Sequence, residues 1–139
     1  MFKRELKDRL AERDAANAPW DREQGKREKL TVCLPYDNQM EWVEIESAFN
    51  WLEIDLTIVF GGFTRQQMVG GWKDDKLKTE LGLEEYYTEH GYIYSVSYVP
   101  SAGNRERAIK SFEATAKALK QTWLHIERSE FQAEHRKVG

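Results

Sequence analysis

Apolar residues recur every three or four positions in two segments of the chain, and this spacing predicts two helices that each bury one face. The first segment carries Trp42, Ile45, Phe49, Leu52 and Leu56, and the second carries Ile109, Phe112, Ala116, Leu119 and Trp123. Asn38 stands three residues before Glu41, an arrangement that favours side-chain capping at the start of the first helix.

Four shorter segments have the β-branched and aromatic composition of strands. They cover residues 30–34, 63–68, 92–99 and 124–128. The third is the clearest, because its alternation places Tyr92, Tyr94, Val96 and Tyr98 on one side of the strand.

Glycine pairs punctuate the middle of the chain. Gly61 and Gly62 follow the first predicted helix, and the triplet Gly70-Gly71-Trp72 predicts a second turn after residues 63–68. The polar residues 73–90 predict a loop, with a short helix around residues 83–87.

The predicted order is strand, helix, strand, strand, helix, strand, which is typical of a ferredoxin-like α+β domain. We expect this βαββαβ domain to occupy residues 30–139, with an antiparallel sheet and two helices on one face. The other face of the sheet needs a cover, either the N-terminal segment or a second copy of the chain. Because the 92–98 strand is so aromatic, we expect a homo-oligomer.

Residues 1–29 are densely charged with both signs interleaved, and they predict a charged helical arm. Phe2, Leu6 and Leu10 fall four apart, which indicates a helix over residues 2–17 with a thin apolar stripe. The arm is either a solvated segment or a helix that docks on a partner.

Composition narrows the function classes. Hydrophobic residues make up 40% of the 139 positions and aromatic residues 12%, which is enough for a globular core. The formal net charge is only −3, so no duplex nucleic acid partner and no anionic membrane is expected. No apolar segment is long enough to span a membrane or to act as a signal peptide, so the expected location is the cytoplasm.

Catalytic and metal-binding motifs are absent from the sequence. Cys33 is the only cysteine and lies in an apolar strand, where a nucleophile would need a base beside it. His90, His125 and His135 do not have metal-ligand spacing. We therefore expect no metal and no cofactor, and an enzyme is less expected than a binding protein.

Short motifs suggest a family. Residues 60–64 (FGGFT), the Gly70-Gly71-Trp72 triplet with Glu80 after it, and residues 118–126 resemble small uncharacterised phage and bacterial proteins. The resemblance covers residues 30–130 and implies a ferredoxin-like fold and a phage accessory or anti-defence role. It implies no catalytic residues.

The predicted ligand site lies around the glycine turns. The candidate residues are Gly61, Gly62, Thr64, Arg65, Trp72, Tyr92 and Tyr94. Exposed backbone N–H groups, a hydroxyl and a guanidinium suit an anion, and the aromatic rings suit a flat nucleotide-like ligand. The alternative is that the glycines only shape turns and the aromatic residues only fill the core.

Three function classes follow from these observations. The leading one is a non-enzymatic, homo-oligomeric binding protein for a small anionic or nucleotide-like ligand. The second is a phage-type inhibitor that binds a host protein or other macromolecule through the arm or the aromatic sheet face. The third is a dimeric ferredoxin-like enzyme that encloses a small substrate.

Overall fold

The structure is a computed structural model that describes the backbone of residues 3–17, 24–78, 84–134, 136 and 138–139. Side chains are described for residues 6–13, 25–70, 89–134, 136 and 138–139. Seven elements follow one another: α1 (Lys3–Asn17), β1 (Gln24–Tyr36), α2 (Trp42–Phe60), β2 (Thr64–Lys78), β3 (Glu84–Tyr98), α3 (Ala102–Ala118) and β4 (His125–Glu134).

The four strands form one antiparallel sheet in the order β2-β3-β1-β4, so the chain is an α+β protein. Helices α2 and α3 pack together on one face of this sheet. We call the opposite face the open face. Among the helices of the described ranges, none combines the length and the apolar character needed to cross a membrane.

The core lies between the sheet and α2 and α3. It contains Leu30, Val32 and Leu34 of β1, Ile45, Phe49, Leu52 and Leu56 of α2, Tyr94, Val96 and Tyr98 of β3, and Phe112 and Ala116 of α3. Fully burying one leucine or phenylalanine side chain stabilises a fold by about 1.5–3 kcal/mol, so this cluster is the main source of stability. The alternation of β3 is confirmed, and so are the predicted apolar faces of the helices except at Trp42, which is 56% exposed, and at Trp123, which lies outside α3.

The ends of α2 differ from the prediction at one terminus only. No side-chain hydrogen bond caps its start at Glu41, so the predicted capping role of Asn38 is wrong. The preceding residues form a turn instead, in which the Asp37 carboxylate accepts the Gln39 N–H at 2.8 Å. At the other end, Gly61 takes the left-handed conformation with φ of 83° and reverses the chain into β2.

Helix α3 is shorter than its apolar spacing predicts. It begins after Ser101, whose hydroxyl accepts the Asn104 N–H at 3.0 Å, and it ends at Ala118. Lys120 has a positive φ of 59°, which turns the chain away from the helix axis. The predicted helical position of Trp123 is therefore wrong: this residue precedes β4 and is 89% exposed.

Strands β2 and β3 extend farther than predicted. The predicted turn at Gly70-Gly71-Trp72 is wrong, because β2 runs through it to Lys78 and pairs with β3. The predicted short helix is also wrong for residues 84–87, which belong to β3, while residue 83 lies outside the described residues. The backbone N–H and C=O groups of β2 and β3 bind each other, so the structure of this region depends on the pairing of both strands. Either segment by itself is therefore hard to recognise as a strand.

The two central strands, β3 and β1, pair with each other over fewer residues than either pairs with its outer neighbour. Strand β3 pairs with β1 only from His90 to Tyr98, so residues 84–89 pair with β2 alone. We call residues 70–78 and 84–89 the outer ribbon. Strand β1 begins at Gln24 rather than at Leu30, and its first residues pair only with β4 at the opposite end of the sheet.

The predicted N-terminal helix is confirmed as α1, and it lies on α2 rather than on the open face. Arg9 binds the buried Asp55 carboxylate at 3.1 Å, and Glu12 pairs with Arg107 of α3. Arg107 also holds Asp55, with nitrogen–oxygen distances of 2.9 and 3.1 Å. A buried carboxylate therefore joins three helices, and α1 is not a cover for the sheet.

A second buried carboxylate ties β1 to α3. Glu28 is fully buried and accepts two hydrogen bonds from Arg105, at 2.7 and 3.1 Å from Oε1, while Arg128 of β4 lies 3.5 Å away. Burial by itself would raise the pKa of Glu28. The Arg105 hydrogen bonds and the nearby positive charges outweigh burial, so the pKa lies below its ordinary value.

Candidate functional site

Three of the predicted site residues, Gly61, Gly62 and Thr64, line a small pocket of about 230 Å³ at the end of α2. Gly61 donates its N–H to the Thr57 carbonyl at 3.0 Å, so this group is not available to an anion. The pocket also lies at the C-terminal end of a helix, where the dipole carries partial negative charge. The positive φ values of Gly61 and Gly62, 83° and 154°, account for both glycines as turn residues.

Arg65 already has partners. Its guanidinium binds both carboxylate oxygens of Glu53, at 3.0 and 3.2 Å, and stacks over the Tyr92 ring with its carbon 4.8 Å from the centroid. An anionic ligand would have to compete with Glu53 for this charge. The Arg65 side chain therefore links β2 to α2, and its charge is already neutralised by Glu53.

The predicted aromatic residues do not converge on the glycine turn. Tyr94 is fully buried against Phe49, Phe63 and Phe112, out of reach of any ligand. Burial also raises the pKa of its hydroxyl. The aromatic side of β3 thus faces the helices, which removes the reason given above for a dimer.

Trp72 lies on the same continuous strand as Thr64, eight residues farther along. At a rise of about 3.3 Å per residue the two backbones are roughly 26 Å apart. The Trp72 side chain lies outside the described residues. The predicted turn at residues 70–72 would bring Trp72 back toward Thr64, whereas the continuous strand β2 keeps the two residues apart.

A different pocket opens on the sheet face that the helices leave uncovered. Its volume is about 350 Å³, and we call it the open-face pocket. The lining residues come from all four strands and from the connection before β4: Cys33, Pro35, Met68, Glu89, Gln121, Thr122, Trp123 and His125.

Strand register brings these residues together. Cys33 of β1 lies opposite His125 of β4, and Gly91 of β3 lies opposite both Pro35 and Met68. A side chain on Gly91 would collide with β1, because its Cβ would stand 2.3 Å from the Leu34 carbonyl oxygen and 2.5 Å from the Pro35 Cα. Gly91 therefore permits the close approach of two strands and leaves the floor of the pocket free.

The rim of the pocket is formed by the chain that leaves α3. The Gln121 N–H binds the Ala116 carbonyl at 2.9 Å, which fixes the reversal after Lys120. Trp123 follows with 89% of its surface exposed. An indole this exposed beside a concavity offers a flat apolar surface to a ligand.

The charges around the pocket are negative. Glu89 is a lining residue, and Glu127 Oε1 lies 3.5 Å from His125 Nε2. None of the described lining residues is a lysine or an arginine. An anion would therefore find no complementary charge here, whereas a cation would, and a neutral molecule needs none.

Strand register places a histidine, His125, opposite Cys33 on the neighbouring strand, which the sequence alone could not show. The thiol is nevertheless in an unreactive setting. Burial and the charge of Glu127 both raise the pKa of Cys33. The reactive thiolate form is disfavoured, so the pair does not have the character of an activated nucleophile.

Another pocket is a groove of about 470 Å³ on the outer side of α2. It runs past Ile54, Ile58 and Phe63 and lies next to the Glu53–Arg65 pair. Within the described part of the chain, no three His, Cys, Asp or Glu residues are grouped in a way that could hold a metal ion. The open-face pocket is the one that combines a concave floor, polar groups and an exposed aromatic residue.

The sequence predicts a strand for Cys33 and for His125 and a helix for Trp123, and no motif in it marks Gly91. The residues that meet in the pocket come from positions 33 to 125, and only the strand register joins them.

Comparisons with known proteins give no independent guide to this site. No protein-family model matches the chain, and no curated protein sequence matches it.

Proposed function

We propose that this protein is a non-catalytic binding protein that captures a small, flat organic molecule in the open-face pocket. The observation that carries this proposal is the exposed Trp123 at the rim of a pocket of about 350 Å³. Pockets for small ligands in proteins are of this order of size, with mostly apolar linings and a few polar groups that fix orientation.

The lining supplies both kinds of contact. Pro35, Met68 and Trp123 offer apolar surface, and methionine adapts its shape readily to a bound ring. Gln121 and Thr122 offer hydrogen-bonding groups at the rim. A flat ligand would stack on the indole and direct its polar groups toward these two side chains.

The charge distribution favours a neutral or cationic ligand over the anionic one predicted from the sequence. The Glu89 carboxylate and the nearby Glu127 attract a positive group, and the indole face of Trp123 adds a cation–π contact. At the glycine turns, by contrast, Arg65 is paired with Glu53 and the Gly61 N–H is used in the helix end.

Binding without catalysis fits the state of the only thiol in the chain. Cys33 lines the pocket, but its raised pKa disfavours the nucleophilic form. We assign this side chain to the floor of the pocket, where a small sulfur side chain packs well.

We also propose that the domain is ferredoxin-like. The element order β1-α2-β2-β3-α3-β4 and the antiparallel strand order β2-β3-β1-β4 support this assignment. The phage origin and the host-protein partner stay predictions from the sequence alone.

Three matched aromatic probes test the binding proposal: tryptamine as a cation, 3-methylindole as a neutral molecule and indole-3-acetate as an anion. Saturation-transfer NMR on the full chain would measure binding of each. For fragments of this size we expect dissociation constants on the order of 1 mM. Tryptamine and 3-methylindole should bind more tightly than indole-3-acetate.

Two variants provide the control. Trp123→Ala should abolish the transfer signal, whereas Trp42→Ala should leave it intact, because Trp42 is 56% exposed and lies outside the pocket. Absence of binding by all three probes would overturn the proposal. Preference for indole-3-acetate would overturn its assignment of ligand charge.

A further inference from the structure

The two outer strands of the sheet differ in how they treat their unpaired edges. Strands β2 and β4 are the edges, and each presents backbone N–H and C=O groups on its outer side. Strand β4 is protected by frequent charges, namely Glu127, Arg128, Glu130 and Glu134. Strand β2 has no charged residue from Gln66 to Trp72.

The uncharged part of β2 also leads into the weakly supported outer ribbon. Beyond the Val69–His90 pair, β2 and β3 form a two-stranded ribbon, because the pairing of β3 with β1 ends at His90. Val69 is 69% exposed. A two-stranded ribbon is marginally stable in water by itself, and a third strand would supply the missing hydrogen bonds and apolar cover.

We propose that the β2 edge pairs antiparallel with β2 of a second copy of this chain, so that the two four-stranded sheets become one. A two-fold axis perpendicular to the sheet places opposing residues of the two copies on the same face of the sheet. Because side chains alternate between the faces along a strand, the sequence numbers of two opposing residues must then add to an even number. This condition leaves only a few registers to compare.

The register centred on Gly70 is the most complementary. It places the apolar residues Met68 and Trp72 opposite each other, within the regularly paired part of β2. Glycine on the axis leaves no side chain between the two central backbones.

Neighbouring registers are worse. An axis at Val69 places Arg65 opposite Lys73, which sets two positive charges against each other. An axis at Gly71 places Met68 opposite Asp74. The order of apolar and charged residues along β2 therefore favours the register centred on Gly70 for pairing with a second copy of the same strand.

Sedimentation velocity of the full chain from about 10 to 200 μM tests the proposal. The wild-type chain is expected to sediment as a dimer. Val69→Lys should raise the dimer dissociation constant at least tenfold, because two added lysines flank the axis on one face. Val43→Lys, on the outer side of α2 and 72% exposed, is the matched control and should remain a dimer.

Cross-linking tests the register. In a Cys33→Ser background, Gly70→Cys should form a disulfide-linked dimer in a glutathione buffer, since residues on the axis face each other at disulfide distance. Ser129→Cys on the β4 edge should form no disulfide-linked dimer under the same conditions, although it still dimerises through β2. A wild-type chain that is monomeric at 200 μM would overturn the proposal, and so would a dimer that Val69→Lys leaves unchanged. A Gly70→Cys dimer that fails to cross-link would overturn the Gly70 register.

Discussion

The two faces of the sheet have opposite characters, although they are made by alternate residues of the same strands. On the helix-covered face, Leu30 and Tyr94 are fully buried, and the charged Glu28 is held by Arg105. On the open face, small polar side chains such as Thr31 and Ser95 bond each other at 3.1 Å. The covered face therefore provides the stability, and the open face is free to carry a binding site.

The largest effect is expected at Gly91, which allows β1 and β3 to approach closely and leaves the floor of the open-face pocket free. Gly91→Ala places a methyl group within 2.3–2.5 Å of the β1 backbone, which the strands can relieve only by moving apart. We expect a loss of roughly 3 kcal/mol or more in the free energy of unfolding. Urea denaturation would measure it, with Gly103→Ala as the control because no atom lies within 4 Å of that Cβ position. Equal stability of both variants would contradict the close approach at Gly91.

The buried carboxylate on the covered side gives the next effect. Arg107→Leu removes one of the two guanidinium groups bound to Asp55, and losing these charged hydrogen bonds should cost about 2 kcal/mol at pH 7 because Arg9 remains. Arg65→Leu removes a partly exposed pair with Glu53 and should cost less than about 1 kcal/mol. Urea unfolding of both variants provides the comparison.

The sign of the pH dependence sharpens this test. Burial raises the pKa of Asp55, although the Ser111 hydroxyl and the Arg9 charge oppose it. A carboxyl group with a raised pKa in the folded state favours folding in its protonated form, so its contribution is lost as pH rises through that pKa. Arg107→Leu should therefore be less destabilised at pH 4 than at pH 7. An equal cost at both pH values would contradict the account.

Glu28 should show the opposite dependence. Its pKa is lowered in the folded state, so its stabilisation is present above the ordinary value of 4.5 and is lost as pH falls through the lower, folded value. Glu28→Gln is expected to cost about 2 kcal/mol at pH 7 and progressively less toward pH 3. Unfolding curves at pH 3, 5 and 7 would test this, and a cost that grows on acidification would contradict it.

On the open face, the expected effects are on reactivity rather than on stability. Because burial and Glu127 raise the pKa of Cys33, alkylation by iodoacetamide at pH 8 should be slower than for a free cysteine. Glu127→Gln should speed it severalfold without changing the unfolding free energy by more than about 0.5 kcal/mol. Mass spectrometry of the alkylated chain would follow the reaction, and an unchanged rate in Glu127→Gln would remove Glu127 from the account.

The covered face could be predicted from the sequence, and the open face could not. Apolar spacing identified Ile45 and Phe49 in α2, and alternation identified Tyr94 in β3, because burial on one face leaves a periodic trace in the chain. The pocket depends on Cys33 and His125, which are far apart in sequence and adjacent only through strand register. Register is a property of pairs of strands, so no single segment reveals it.

Two local errors have different physical origins. Gly70 and Gly71 permit a turn but also permit a strand, and the partner strand β3 decided between them. Trp123 continued the apolar spacing of α3, but the positive φ of Lys120 ended the helix without a glycine to announce it. The first of these errors groups Trp72 with Gly61 and Gly62 in one predicted site, although the continuous strand β2 separates them.

The most direct test of the central claim is a tryptamine titration followed through the indole N–H signals of ¹⁵N-labelled protein. We expect the Trp123 signal to shift with saturation, together with the amide signals of Gln121 and His125, while the Trp42 signal stays in place. A saturable shift confined to Trp42 or Trp51, or no shift of any indole signal at 10 mM probe (on the order of ten times the expected dissociation constant), would contradict the open-face pocket as the binding site.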